Sequence, residues 1–484
     1  MWKINGRFIF KILGIMCLIE SVFVLLTVAV ALIYREDVMP YFSTAMCMVI
    51  AGGLFILMGK KTDESNVSTR EGMLTVTLTW ITLSLFGMIP FLLSGVTDNV
   101  TDAFFETMSG FTTTGATMFP QVSFFPKALL FWRSIIQWQG GVGIVVFTVA
   151  LLPLFNGGQA SHLFNSESTG ITHDRFLPRI TEVAKRLWGV YIAITLVLIV
   201  LLLIGPMNLF ESVCHAFTCV ASGGYSTKDN SIADFNSPYT EYVLSAFMFI
   251  SALNITLLYF SFTGKPSKLF KDEEFRTYGI FVTICIVICT LWLCRLNMYD
   301  TFESKFRHAL FQVMTFASST GYTTADINLW QPFFWMMAIV MMSINGCAGS
   351  TCGGIKTGRF LILIRNLGNE FKKRTHPNLV VLVKLNGHQI QNSVVHQVIA
   401  FIFLYISLMI TGAMIMMFDG SLFADSIGAA AACISNSGPG VGAYMANMAS
   451  AGVLSKWVLS FLMLAGRLEV FTVMSILSTS FWRR

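Results

Sequence analysis

Charge is scarce in this sequence, and that scarcity excludes an ordinary water-soluble globule before any motif is read. Only 12% of the 484 residues are Asp, Glu, Lys or Arg, 55% are apolar, and the mean hydropathy is +0.68. The constellations that enzymes need are missing as well. No glycine-rich nucleotide signature follows a strand pattern, no carboxylates pair at catalytic spacing, and no nucleophile, histidine and acid form a set. Nothing argues for an enzyme, or for a cofactor held by this chain. Zinc spacings and a secreted disulfide framework are also absent: most of the ten cysteines, Cys17, Cys285 and Cys433 among them, fall in or beside apolar runs as buried thiols would. The first apolar run is too long for a signal-peptide core and has no small-residue cleavage site before Tyr34-Arg35-Glu36-Asp37, so it is expected to stay in the mature protein.

What the sequence has in excess is apolar length. A membrane-crossing helix needs roughly 20 mainly apolar residues. Spans are predicted near 10–34, 40–59, 72–95, 128–155, 188–206, 241–262, 277–298, 332–365, 395–418 and 453–481. Glu20 inside the first span finds no explanation in the sequence. Most of the 32 lysines and arginines fall in alternate connections and at both ends, including Lys3, Arg7, Lys60, Lys61, Arg175, Arg179, Lys268, Lys372, Lys373, Arg374 and Arg484. The positive-inside rule then puts both termini in the cytoplasm. The net charge of +6 is thus an asymmetry across a membrane and not a sign of nucleic-acid binding. Acids such as Asp102, Glu211, Asp229, Asp326 and Asp425 fall outside, where together they would concentrate cations.

Between the spans, one pattern recurs four times: a short helical stretch runs into small polar residues around a glycine. The copies read Thr112-Thr113-Thr114-Gly115-Ala116, Val220-Ala221-Ser222-Gly223-Gly224, Ser318-Ser319-Thr320-Gly321-Tyr322 and Ser435-Asn436-Ser437-Gly438-Pro439, their glycines 108, 98 and 117 residues apart. Irregular backbone at membrane depth survives only where protein buries it or a watery path runs beside it, so four copies point to one shared axis. The preceding helices, about 102–112, 210–219, 302–317 and 422–434, are too short to cross and must enter and return. Each would aim the negative end of its dipole at the loop, favouring a cation. A dehydrated cation needs oxygen ligands, which main-chain carbonyls supply where small residues and glycine let the backbone approach the axis. The expected coordinating carbonyls are those of Thr113, Thr114 and Gly115; Ala221, Ser222 and Gly223; Ser319, Thr320 and Gly321; and Asn436, Ser437 and Gly438.

Two further features lie in apolar surroundings. Gly346, Gly349, Gly353 and Gly354, with Ser350 and Thr351 among them, interrupt the span at 332–365, as a loop crossing the pore or as a surface for close helix packing. Arg467 lies far from the polar ends of its span and must face water or a partner, either the pore or a structural ion pair with Glu469 or a neighbouring helix. Arg133, with Gln137 and Gln139 before Gly140-Gly141, is a weaker case of the same kind.

These motifs resemble the TrkH family within the TrkH, TrkG and KtrB superfamily of bacterial potassium transporters. The likeness covers nearly the whole chain and is carried by Met108-Ser-Gly-Phe-Thr-Thr-Thr-Gly-Ala-Thr117, Ala221-Ser-Gly-Gly-Tyr-Ser-Thr227, Ser319-Thr-Gly-Tyr-Thr-Thr324, Gly346-Cys-Ala-Gly-Ser-Thr-Cys-Gly-Gly-Ile-Lys356 and Gly466-Arg-Leu-Glu469. The resemblance implies an all-α polytopic membrane protein, with four membrane-pore-membrane repeats around one pore and an extra amino-terminal helix pair. The corresponding divisions are 1–70 for the pair and 71–170, 171–275, 276–388 and 389–484 for the repeats. It also implies potassium as the transported ion, a homodimer in the bacterial inner membrane, and control by a cytosolic nucleotide-binding partner of the TrkA type. Residues 346–354 and Arg467 would form the gate. A proton- or sodium-coupled symporter is the alternative, and the scarcity of titratable groups at mid-depth tilts against it. The basic stretch from Lys372 to Lys384 could dock the partner or touch lipid headgroups.

Overall fold

Apolar runs long enough to span a bilayer form long helices here, because a helix is the only open-ended segment that satisfies every backbone group without water. The computed structural model describes residues 4–60, 68–151 and 180–483. Lys3, Lys61, Arg175, Arg179 and Arg484 of the charge pattern, the end of the predicted span at 128–155 and the division at 170 lie outside them.

In chain order the principal helices are α1 (Gly6–Tyr34), α2 (Met39–Met58), α3 (Thr69–Gly87), α4 (Val100–Phe111), α5 (Lys127–Leu151), α6 (Ile180–Ile204), α7 (Leu209–Val220), α8 (Pro238–Ser251) and α9 (Ile255–Phe262). There follow α10 (Glu273–Leu296), α11 (Phe302–Ala317), α12 (Gln331–Ser343), α13 (Thr357–Thr375), α14 (Asn392–Phe418), α15 (Phe423–Ile434), α16 (Val453–Arg467) and α17 (Val470–Leu477). Sheet is confined, among the described residues, to two pairs of two-residue strands. The protein is an all-α membrane protein of many spans.

The amino-terminal pair is held by glycine against glycine. A side chain at Gly14 would come within 2.6 Å of the Gly52 carbonyl, so α1 and α2 pack at backbone distance, the usual device of helices that lack a hydrophobic driving force between them. The pair rests on α3 and α5.

The four short helices α4, α7, α11 and α15 fall where the sequence pattern predicts them and bury half or more of their residues. Each packs against the spans on either side of it in the chain and against the span that follows the previous loop. Thus α7 meets α5, α11 meets α8, α15 meets α12, and α4 meets α16, which closes the circle. The predicted spans at 241–262 and 453–481 are not continuous. Helices α8 and α9 are bent by 106° and α16 and α17 by 117°. Asn254 caps the start of α9 by accepting from the Thr256 and Leu257 amides, and Glu469 takes a left-handed φ of 57° between α16 and α17. Among the described residues, breaks therefore follow three of the four short-helix loops, where the sequence pattern predicts one.

Candidate functional site

Each short helix ends in the same way. The amides of Thr114, Gly223, Thr320 and Ser437 donate to the carbonyls five residues earlier, those of Ser109, Thr218, Thr315 and Ala432, at 2.8–3.0 Å. The amides one residue earlier close on Gly110, Cys219, Phe316 and Cys433. This is a Schellman ending, whose turning residue is most often glycine. Here it is Thr113, Ser222, Ser319 or Asn436, with φ between 52° and 54°. A β-branched residue in that region is an outlier, and strain of this kind persists only where surrounding packing imposes it.

This common ending fixes the register between loops and corrects one expectation. Two residues beyond the turning residue, Gly115, Gly224, Gly321 and Gly438 all adopt left-handed φ of 71–90°. In the second loop the corresponding triplet is therefore Ser222, Gly223 and Gly224. Ala221 is the cap of its helix, equivalent to Thr112, Ser318 and Ser435, so the triplet expected from the sequence is one residue early there.

The four left-handed glycines form a closed circuit. A side chain on Gly115 would strike the Gly223 carbonyl, one on Gly224 the Thr320 carbonyl, one on Gly321 the Ser437 carbonyl at 2.6 Å, and one on Gly438 the Thr114 carbonyl at 2.6 Å. Every loop thus abuts the next, backbone to backbone, and the fourth returns to the first. On one side the glycines line a cavity of about 660 Å³ that also includes Asp229 and Asp326. Its cations are neutralised: Arg133 pairs with buried Glu106 at 2.7 Å and stacks on Tyr225, while Lys228 pairs with Glu211 at 2.9 Å. Asp229 accepts from the Val122 and Ser123 amides and the Ser123 hydroxyl. Burial opposes its ionisation, but those hydrogen bonds prevail and hold the carboxyl below its usual range.

On the other side of the circuit lies the glycine-rich interruption. Between α12 and α13 the chain leaves the helix, Ile344 and Asn345 pair with Ile355 and Lys356, and Gly349 and Gly354 turn with φ of 75° and 66°. The expected loop is present, with Gly346, Ser350, Thr351 and Gly353 inside it. Its tip docks on the turning residues: the Thr351 hydroxyl is 2.5 Å from that of Ser222, the Gly353 amide donates to Ser319 Oγ at 3.1 Å, and Gly353 abuts Asn436. Glu274 holds both legs by accepting from the Ala348 and Gly358 amides, each at 2.7 Å. Lys356 donates to the Cys352 carbonyl.

Arg467 does not pair with Glu469, which binds Arg359 at 2.6 Å. Its guanidinium instead donates to the Thr351 carbonyl at 2.7 Å and to the Gly140 carbonyl. It ties the loop to α5, directly below the first short helix, whose Phe111 carbonyl abuts Gly140. Gln137, which the sequence pattern only groups with Arg133, donates to the Gly223 carbonyl at 2.8 Å. The signal that could have singled it out is an uncharged polar residue inside an apolar span. The Gln139 amide faces Glu20, and with its nitrogen placed on that side it would donate to both carboxylate oxygens at 2.8 and 2.9 Å.

Comparison with known proteins agrees with this architecture. A family model described as TrkH, cation transport protein, matches residues 39–482. The Trk system potassium uptake protein TrkH of Salmonella typhimurium is 35% identical over 99% of each chain, and TrkG of Escherichia coli is 32% identical over 99% of each. The crystal structure of the potassium transporter TrkH from Vibrio parahaemolyticus superposes with a TM-score of 0.90 at 33% identity, covering 99% of this chain and 100% of that one. These relatives are transporters, a non-enzymatic kind of protein.

Proposed function

The chain belongs to the TrkH family of cation transport proteins, whose relatives take up potassium, and from that premise we propose a channel-like pore whose selective part is the circuit of four loops. The observation that carries this reading is the closed contact between each left-handed glycine and the carbonyl of the next loop. With the register corrected, the ligands are the carbonyls of Thr113, Thr114 and Gly115; Ser222, Gly223 and Gly224; Ser319, Thr320 and Gly321; and Asn436, Ser437 and Gly438. The four short helices direct their negative ends toward these carbonyls and favour a cation over an anion. Potassium is the cargo; no other group is invoked.

The gate is residues 346–354 with Arg467. Support comes from the contacts of Thr351 and Gly353 with the turning residues and from the positive guanidinium beside them. The chain is divided as the sequence suggests, into an amino-terminal pair and four repeats with divisions near 70, 170, 275 and 388. It sits in the bacterial inner membrane as a homodimer with both termini cytoplasmic, under a TrkA-type partner. The charge asymmetry supports the orientation, and the family resemblance supports the remainder.

Replacing Gly115 or Gly321 with Ser puts a side chain against a ring carbonyl at a left-handed φ, so each variant should insert in the membrane and lose preference for potassium over sodium. Reversal potentials of reconstituted protein in opposed potassium and sodium gradients measure this. Unchanged selectivity in folded variants would overturn the assignment of the filter. Repeating the measurement under a pH gradient separates the channel from a proton symporter, whose reversal potential would follow both ions.

A further inference from the structure

We propose that Gln137 is a positioning residue for ion selection, standing in for a side chain that the second loop lacks; this rests on the reading of the four loops as the selective part of the pore. In the other three loops the loop is tied to its own helix by a pair of hydroxyls. The hydroxyls of Thr112 and Thr114 are 2.8 Å apart, those of Ser318 and Thr320 are 2.7 Å apart, and those of Ser435 and Ser437 are 3.1 Å apart. The second loop has Ala221 and Gly223 at those two positions and can make no such bond.

Gln137 fills the place. It is wholly buried on α5. Its Nε2 donates to the Gly223 carbonyl at 2.8 Å, and its Oε1 accepts from the Tyr225 amide at 3.1 Å. One amide thereby clamps the backbone on both sides of left-handed Gly224. A side chain added to Gly223 would meet the Gln137 amide atoms at 2.5–2.9 Å, so the amide occupies the volume that Thr114, Thr320 and Ser437 fill from their own backbone. Gly223 itself has no left-handed φ, and its backbone would accept a serine. What excludes one is Gln137.

The consequence is an unequal ring. In the layer formed by the carbonyls of Thr114, Gly223, Thr320 and Ser437, three are carried by loops fastened to their own helices, while that of Gly223 is oriented from a neighbouring span and shares its oxygen with an N–H. Residue 137 therefore sets the direction and the donor strength of that carbonyl toward the ion.

The test uses the full chain in liposomes, with potassium over sodium permeability and flux per folded molecule as readouts. Gln137→Met keeps the volume and removes the donor, and Gln137→Ala removes both; losing a net hydrogen bond shifts an equilibrium by about two- to tenfold, so a drop in the permeability ratio of that order is expected. Gly223→Ser alone should be worse folded than the parent. Combined with Gln137→Ala it should recover yield, since the serine fills the volume where the amide was, and with Ala221→Ser added as well it should recover the ratio, since the two hydroxyls can then tie the loop as in the other three. Gly224→Ala serves as the control on the ring itself. A parental ratio in folded Gln137→Met and Gln137→Ala, with Gly224→Ala altered, overturns this role and leaves the filter reading standing; a parental ratio in Gly224→Ala as well overturns both. If neither single variant at 137 folds, the combination decides: an Ala221→Ser, Gly223→Ser, Gln137→Ala protein no better folded than Gln137→Ala overturns the substitution of one side chain by the other.

Discussion

Glu106 is wholly buried, and its carboxylate gathers Arg133, the Met118 amide and the Thr117 hydroxyl into one cluster in the wall of the cavity. A buried pair of this kind adds little net stability compared with apolar residues, yet breaking it strands a charge. Arg133→Ala should therefore destabilise the folded protein by about 3–5 kcal/mol, because Glu106 is left without its counter-charge. Arg133→Met together with Glu106→Gln should cost markedly less, since Gln still accepts from Met118 and no charge is stranded. Thermal unfolding of the two variants in the same detergent orders them; a double variant as unstable as Arg133→Ala would show that the charge is not the cause. At this scale the sequence is readable where a residue type is forced. Glycine before a turn can be seen, but in Gly223-Gly224 two glycines compete, and only the Schellman closure shows that the second takes the left-handed φ. Gln137 and Glu274 are harder still, because their partners are backbone groups about 75 to 90 residues away that no local pattern reports.

The elements divide in the same way. Short helices are legible because each is bounded by polar residues and followed by glycine. The interruption after α12 is legible because glycine and hydroxyl residues cluster there. The bends at Ala252 to Asn254 and at Leu468 to Glu469 are not, since one is marked only by Ser251 and Asn254 in an otherwise apolar run with no glycine or proline and the other carries a single acid that reads as an ion-pair partner. Among these breaks the loop after α12 is held by one side chain, Glu274, at both of its legs. Its neighbours Asp272 and Glu273 grip Asn386 and Arg365, so the start of α10 joins the loop to the turn between α13 and α14. Glu274→Ala removes two charge-assisted bonds and should release the loop, raising basal potassium flux per folded molecule; Glu274→Gln, which keeps an acceptor, should raise it less. Equal flux in Ala, Gln and parent would show that the loop is held without this carboxylate.

Across the whole molecule, the circuit of loops is supported from beneath by two different things. The interruption after α12 touches the second, third and fourth loops through Thr351, Cys352 and Gly353, and the Cys352 thiol reaches the Ser318 carbonyl at 2.9 Å. The first loop rests on α5, where the Thr113 methyl lies against Gly140. Arg467, arriving from α16, binds the carbonyls of Thr351 and Gly140 and so joins the two supports. On the proposed reading of the ring it is also a positive charge near the path of a cation, and at about 4 Å and an effective dielectric near 20 two such charges repel by roughly 4 kcal/mol. Both effects act in one direction on conduction. Arg467→Ala should open the connection between the supports and lower the barrier, giving higher basal potassium flux. Arg467→Lys keeps the charge but not the two-pronged geometry, and should fall between. If Arg467 only braces the fold, the Ala variant should instead lose yield and thermal stability with no gain in flux per folded molecule. Flux normalised to folded protein across the series separates the two, and a well-folded Ala variant conducting no faster than the parent would remove Arg467 from the gate while leaving the ring of carbonyls untouched.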